Sequence, residues 1–306
     1  MKVNNKEENH ERYFDVAAHD YSDKYDFHVY RPASLDNPKN NAVMFMNAAN
    51  VHRTQQLIRA HQCIIFYPDG VELPDAVMEN NLVIPCADPR VEYCRFFREN
   101  NITYYPPQET MKLQNGAFVS ERAVIGHDVT IMPMAYIGGE VVIGDHVYIG
   151  CGVKIVGSVQ IGDHVVIREN SVIGADGLST DRDENGRALT MPQFGGVVIE
   201  DDVQIGALTV IARGAIDNTV IHQGSKIDNC TFISHNVQVG EDTFIVGETI
   251  LFGGSSTGKG VFISGNSTVR NKVQIGDHAF VGMGCIVTKN VVPRTTVMGN
   301  PAREKK

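Results

Sequence analysis

From Val119 onward the chain places an aliphatic residue at every sixth position: Val119, Ile125, Ile131, Ile137, Ile143, Ile149, Ile155, Ile161, Ile167 and Ile173. An α-helix returns to the same face about every 3.6 residues and a strand about every two, so a strict period of six fits neither. It is the signature of hexapeptide repeats wound into a β-helix. Small or β-branched residues follow four positions on (Ala123, Val129, Ala135, Val141, Val147), and glycine often follows directly (Gly126, Gly138, Gly144, Gly150, Gly162, Gly174). Each hexad therefore reads as one short flat strand plus a turn. Three hexads close a triangular coil, which stacks residues 18 apart at the inter-strand spacing of ~4.8 Å. The expected fold class is mainly β, a left-handed parallel β-helix. That handedness follows from the repeat type and runs against the right-handed rule for ordinary parallel crossovers.

The repeat breaks at residues 175–196, "ADGLSTDRDENGRALTMPQFGG", a polar stretch too long for a turn and read as a functional loop. It resumes at Ile199, Ile205 and Ile211, slips by four residues through "ARGAIDNTVI", and continues from Ile221 to Val287 with only Thr257 departing from the aliphatic rule. Before residue 108 the pattern differs. "NAVMFMN", "CIIFYP" and "NNLVIP" read as strands, whereas "VHRTQQLIRAHQ" and "PRVEYCRFFREN" have helical spacing, which gives a small α/β domain. The reading is thus a polar N-terminal arm over 1–26, an α/β domain over 27–108 closed by "YYPPQ", a β-helix over 109–292 and a C-terminal tail over 293–306.

A chain of 306 residues with 42% hydrophobic composition can bury a full core. Its net charge of -9 argues against nucleic acid as the main partner, because phosphate backbones call for an excess of Lys and Arg. No signal sequence and no apolar run of membrane-spanning length is present, which reads as a cytoplasmic protein. The six cysteines show no C-x-x-C pairing, so reduced and mostly buried thiols are expected rather than disulfides or zinc.

Within the repeat, "TFISHNVQVG" (231–240) poses the functional question. Ile233 and Val237 already supply the interior, so His235 between them is expected to project outward. One coil on, at the 18-residue spacing, lies Gly253; one coil back at the same spacing lies Asp217. A carboxylate, an imidazole and a bare glycine would then share one edge, offering an orienting group, a general base and an oxyanion-stabilising N–H. The other histidines of the repeat (His127, His146, His164 and His278) sit in "IGHD" or "IGDH" turns and read as solvated turn residues. His146 and His164 are one coil apart, but no third ligand joins them, so no metal is expected. Cys230 reads as packing rather than as a nucleophile.

The stretch from Val172 to Val237, with "VIGADG", "MPQFGG" and "SHNV", resembles the UDP-3-O-acylglucosamine N-acyltransferases of lipid A biosynthesis, and "PASLDNPKNNAVMFMN" resembles their N-terminal nucleotide-binding domain. The resemblance covers about residues 27–292. It implies that His235 is the general base, that the backbone amide of Gly253 stabilises the oxyanion, and that Asn229 and Asn236 hold the pantetheine arm or the substrate. It further implies a homotrimer with active sites between neighbouring prisms.

Phe45 stands where the family stacks uracil, but the tyrosine that normally follows is replaced in "MNAANVHRTQ", leaving His52 or Asn50 in its place. Lys272 aligns where the family often has a second histidine. The family continues into C-terminal helices that contact acyl carrier protein, whereas this sequence closes on "VVPRTTVMGNPAREKK", which looks like hexapeptide acyltransferases that use acyl-CoA. The expected activity is therefore N-acyl transfer from acyl-CoA to a nucleotide-linked amino sugar. Lys272, Lys289, Arg294 and Arg303 would meet the phosphates of coenzyme A. Two other readings stand beside it: an acyl-carrier-protein-dependent lipid A enzyme, and a solenoid that only binds.

Overall fold

The structure, a computed structural model, describes residues 12–103, 108–301 and 303–305. Residues 1–11 of the expected arm and residues 104–107 of the "YYPPQ" linker lie outside the described residues. Two compact units are present: Met1–Tyr105 with Leu178–Phe194, and Pro106–Gly177 with Gly195–Lys306.

In the first unit, strands Arg31–Pro32, Ala42–Phe45, Ile64–Pro68 and Leu82–Cys86 form a parallel sheet in sequence order. Helix Pro89–Glu99 covers it with Val91, Tyr93, Cys94, Phe96 and Phe97 buried. The helix starts where Asp88 accepts hydrogen bonds from the N–H groups of Arg90 and Val91, with Pro89 in the first turn. The segment expected as a second long helix is instead a run of 3₁₀ turns, Ala48–Arg59. Only Leu57 in it is buried, while Val51 and Ile58 are exposed, so no apolar stripe exists to hold an α-helix on the sheet. A short helix, Asp75–Asn80, occurs where the sequence showed no clear signal.

The excursion from the repeat, Leu178–Phe194, belongs to this unit. It contains an antiparallel hairpin, Thr180–Arg182 with Ala188–Thr190. Phe194 packs its ring against Tyr13, Phe14 and Phe97, and Arg95 pairs with both Glu92 and Glu184. Tyr13 and Phe14 lie in the stretch read as an arm.

The second unit is a three-sided parallel β-helix. Its faces are named here by one strand each: the Phe232 face (ten strands), the Gln238 face (eight) and the Phe244 face (ten). Register is set by the aliphatic columns. Ile131, Ile149 and Ile167 pair in succession on the Phe244 face, and Ile233, Leu251, Val269 and Val287 do so on the Phe232 face. These columns fill one continuous core. Above the excursion the register jumps by 38 residues, and at the four-residue slip by 22, yet the ladder is unbroken: Ile167 pairs with Ile205, and Ile205 with Ile227.

Turn chemistry explains the polar letters of the repeat. Asp145, Asp163 and Asp201 each accept, through Oδ1, the N–H of the residue one storey below: His127 at 2.6 Å, Asp145 at 2.7 Å and Asp163 at 2.8 Å. The next turn residue has positive φ, and His146, His164 and His278 occupy it. Buried Ser171, Ser225 and Ser267 donate to the carbonyls of Gly206, Gly240 and Gly282. One face is closed at each end by an antiparallel strand, the Phe232 face below by Met111–Gln114 and the Phe244 face above by Arg303–Glu304, which cover edges that would otherwise pair with other chains. Strand Thr296–Met298, inside the stretch read as a tail, still pairs in parallel with Phe280–Val281.

Candidate functional site at the His235 edge

His235 lies on the edge between the Phe232 and Gln238 faces. Ile233 and Val237 on either side are fully buried, so the core is filled without it and the imidazole projects outward, half-buried. The carbonyl of His235 accepts the N–H of Gly254 at 2.9 Å, which places Gly253 directly one storey above. The fit is close: a methyl carbon added at Gly253 would lie 2.5 Å from both Cε1 and Nε2 of His235. The N–H groups of Phe252 and Gly254 are taken by Val269 and His235 carbonyls, and among the described residues the Gly253 N–H between them has no ladder partner.

Asp217 does not occupy the expected place below His235. Because Ile211 pairs with Ile233, the storey offset here is 22 residues rather than 18, and the residue under His235 is Arg213. Asp217 still reaches the site through its backbone carbonyl, which accepts from Asn236 Nδ2 at 2.7 Å. The group beside the imidazole is Asn236, whose Oδ1 is 3.1 Å from His235 Nδ1.

Three further residues of this edge escaped the sequence. Gly177 forms a second wall: a Cβ there would lie 2.8 Å from His235 Cβ and 3.2 Å from Cγ. Arg213 is 2% exposed and donates from Nε to the Gly195 carbonyl at 2.6 Å. Asp176, though it still meets solvent, has its carboxyl pushed above the ordinary range by partial desolvation, with the Arg213 guanidinium pulling the other way. The only sequence signal for the three was their position at the edges of the interruption and of the slip.

The remaining candidates separate by edge. Lys272 follows Gly254 in the same turn column, its N–H bonded to the Gly253 carbonyl at 3.2 Å. Lys289, two residues past Val287, stands two storeys above Gly253 on the same edge. Both lysines are exposed. Arg294 is on another edge, in the positive-φ column of His278, and Arg303 is on the closing strand of the Phe244 face. The four cations expected to grip one cofactor are therefore not brought together. Asn229 is also on a different edge, between the Phe244 and Phe232 faces, where its Oδ1 accepts the N–H of Ala207 at 2.7 Å. Cys230, expected to pack, is exposed because it occupies a left-handed turn position, φ 57°, that points away from the core.

Phe45 is in the first unit, at the end of its strand, with its ring 4.7 Å from that of Tyr93. Parallel sheets usually bind ligands at the carboxyl ends of their strands. Here that end is acidic: burial first, then Glu92, Asp69 and Asp88, push the Cys86 thiol up to about 11. His146 and His164 stack with ring centroids 4.9 Å apart, and among the described residues no group of three or more potential metal ligands occurs. Among the same residues no helix is long and apolar enough to cross a membrane.

With this geometry in view, the chain falls into a recognisable class. The family described as bacterial transferase hexapeptide (six repeats) matches residues 122–157 and 140–175. A UDP-N-acetylglucosamine acyltransferase from Campylobacter jejuni has the same fold, with TM-score 0.57 at 23% identity over 63% of this chain and 74% of that one. The enzyme of that name from Francisella novicida gives 0.54 at 23% identity, over 63% and 70%. The second unit is therefore a left-handed β-helix of hexapeptide repeats.

Particular similarity runs to proteins named UDP-3-O-acylglucosamine N-acyltransferase. The one from Helicobacter hepaticus is 40% identical over 134 residues, 44% of this chain and 41% of that protein. One from Wolinella succinogenes is 36% identical over 140 residues, 46% and 44%. One from Francisella tularensis is 51% identical over 79 residues, 26% and 23%. The chain spans about two fifths of the length of the first of these curated relatives.

Proposed function

We propose that the protein is an N-acyltransferase that moves an acyl group from a pantetheine thioester to the amine of a UDP-linked 3-O-acylglucosamine. The observation that carries this reading is the imidazole of His235 lying against the bare backbone of Gly253, on the two residues where the resemblance puts the base and the oxyanion amide. The amine nitrogen attacks the thioester carbon, and His235 Nε2 takes the amine proton as the C–N bond forms. Negative charge gathers on the thioester oxygen, where the Gly253 N–H meets it. The C–S bond then breaks, and the proton held on His235 passes to the leaving thiolate. No covalent enzyme intermediate is required once the two reactants are held together.

The donor in this reading is acyl carrier protein. The acyl-CoA alternative loses the support expected from its phosphate-binding set, since Arg294 and Arg303 stand away from the His235 edge while Lys272 and Lys289 remain on it. In this reading the two lysines meet the pantetheine phosphate, and Phe45 and Asn229 contribute to holding substrate.

The protein acts as a homotrimer. Supporting this is a column of exposed aromatics on the Phe244 face, Phe244, Phe262 and Phe280, with ring centroids 5.9 and 5.4 Å apart. Light scattering is expected to give about three times the chain mass of 33.6 kDa.

The test is turnover of UDP-3-O-acylglucosamine with acyl carrier protein and with acyl-CoA as alternative donors. Transfer to the amine with the carrier-protein donor, and a loss of about 10²–10⁴-fold in His235→Ala, is expected. Undiminished transfer in His235→Ala overturns the assignment of the site, and a preference for acyl-CoA overturns the donor.

A further inference from the structure

The hydrogen bonds around Asn236 determine which nitrogen of His235 carries its proton. Asn236 Oδ1 accepts the backbone N–H of Ala215 at 3.0 Å, and Nδ2 donates to the carbonyl of Asp217 at 2.7 Å. A backbone N–H can only donate and a carbonyl can only accept, so these two contacts fix the oxygen and the nitrogen of the amide. The Asn236 N–H is held by Thr219 Oγ1 at 2.8 Å, which anchors the residue itself. The atom 3.1 Å from His235 Nδ1 is therefore an acceptor. A neutral imidazole facing it must place its N–H on Nδ1 and its lone pair on Nε2. The same Nε2 edge lies against Gly253, and Gly177 closes the ring from its Cβ side.

We infer that Asn236 is a positioning residue, which locks His235 as the Nδ1–H tautomer so that its Nε2 lone pair faces the reacting centre above Gly253. The four-residue slip makes this arrangement: both Ala215 and Asp217 belong to the segment it adds. The amide oxygen holds the ring in place without adding a charge beside it. The inference deepens the proposed function and rests on it for the catalytic consequence, whereas the tautomer itself is a property of the resting protein.

The experiment is long-range ¹⁵N–¹H NMR on the full chain labelled at histidine. His235 is expected to carry its proton on Nδ1 in the native protein and to shift toward Nε2–H, the form free histidine prefers, in Asn236→Gly. Glycine suits that position because Asn236 has φ 59°. Observation of Nε2–H in the native protein, or an unchanged tautomer in Asn236→Gly, overturns the inference. Kinetics give the second readout. Asn236→Gly lowers kcat about tenfold with KM little changed, as loss of positioning requires. Asn236→Asp moves the acid limb of the pH–rate profile upward by about one pH unit, because a carboxylate at Nδ1 favours the protonated ring. The charged groups on neighbouring storeys, Asp176, Arg213, Asp217 and Lys272, are the same in every variant. An unmoved limb in Asn236→Asp counts against the positioning role. Nδ1–H in the native protein together with full activity in His235→Ala would instead sink the proposed function and leave the tautomer standing.

Discussion

Replacing Gly253 by alanine tests the site with little cost to the fold. The residue is outside the set of glycines with positive φ, so its backbone accepts an alanine. Its N–H is retained. The added methyl would lie 2.5 Å from Cε1 and Nε2 of His235, about 1 Å inside the ~3.5 Å at which carbon atoms ordinarily touch. The far end of a half-buried side chain gives way more readily than a β-ladder, so the ring swings aside. A misplacement of about 1 Å in a catalytic group costs on the order of 10²-fold in rate, about 2.7 kcal/mol of transition-state stabilisation. The melting temperature should stay within a few degrees of the native value, since overpacking at an edge costs about 1–3 kcal/mol. The assay is steady-state acyl transfer alongside circular dichroism melts, with the expected loss falling in kcat. A folded Gly253→Ala protein whose kcat stays within about twofold of native would refute the claim that the imidazole works from the place where it lies.

Gly174→Ala should do the opposite, lowering stability rather than catalysis alone. Its φ is 85° and a Cβ would lie 2.0 Å from the Val156 carbonyl, where the ladder is rigid, so a loss of about 3 kcal/mol or more in denaturant titration is expected. Thiol reactivity should divide by burial: Cys63 is pushed up to about 12 and Cys94 to about 11, chiefly by desolvation, so both stay protonated and slow toward a disulfide reagent near neutral pH. Exposed Cys230 should supply the fast phase, and Cys230→Ser should remove it. Asp176 has its carboxyl raised above the ordinary 3.8 in the folded protein. The neutral form is therefore favoured on folding, and that contribution is lost as pH climbs from 3.8 through the raised value. Asp176→Asn should be the more stable protein at neutral pH, with the difference closing below pH 3.8; an equal difference at both pH values would reject the assignment.

The β-helix was legible because its information is local. Each hexad specifies its own strand and turn, and the columns of Ile149 and Ile233 need no knowledge of distant residues. His235 and Gly253 were legible for the same reason, since no insertion separates them. Asp217 was misplaced because the spacing rule fails where four extra residues enter, and Arg213 took the position instead. Gly177 could not be found by counting, because the excursion separates it from the storeys above. The orienting role of Asn236 depends on which backbone groups face its two side-chain atoms, a fact of three dimensions. In the first unit, helical spacing over 51–62 suggested an α-helix, but spacing does not say whether a face has anything to cover, and within the 3₁₀ run Ala48–Arg59 only Leu57 did.

The uneven storeys have a consequence for how such a molecule can change. A solenoid tolerates surplus chain wherever the winding turns a corner, since the strands on either side close ranks as though nothing had been added. One corner here shelters a whole hairpin and another shelters four residues beside the histidine. New chemistry can therefore be tried at the rim by lengthening a corner, while the stacked interior that keeps the rod upright remains indifferent to the experiment.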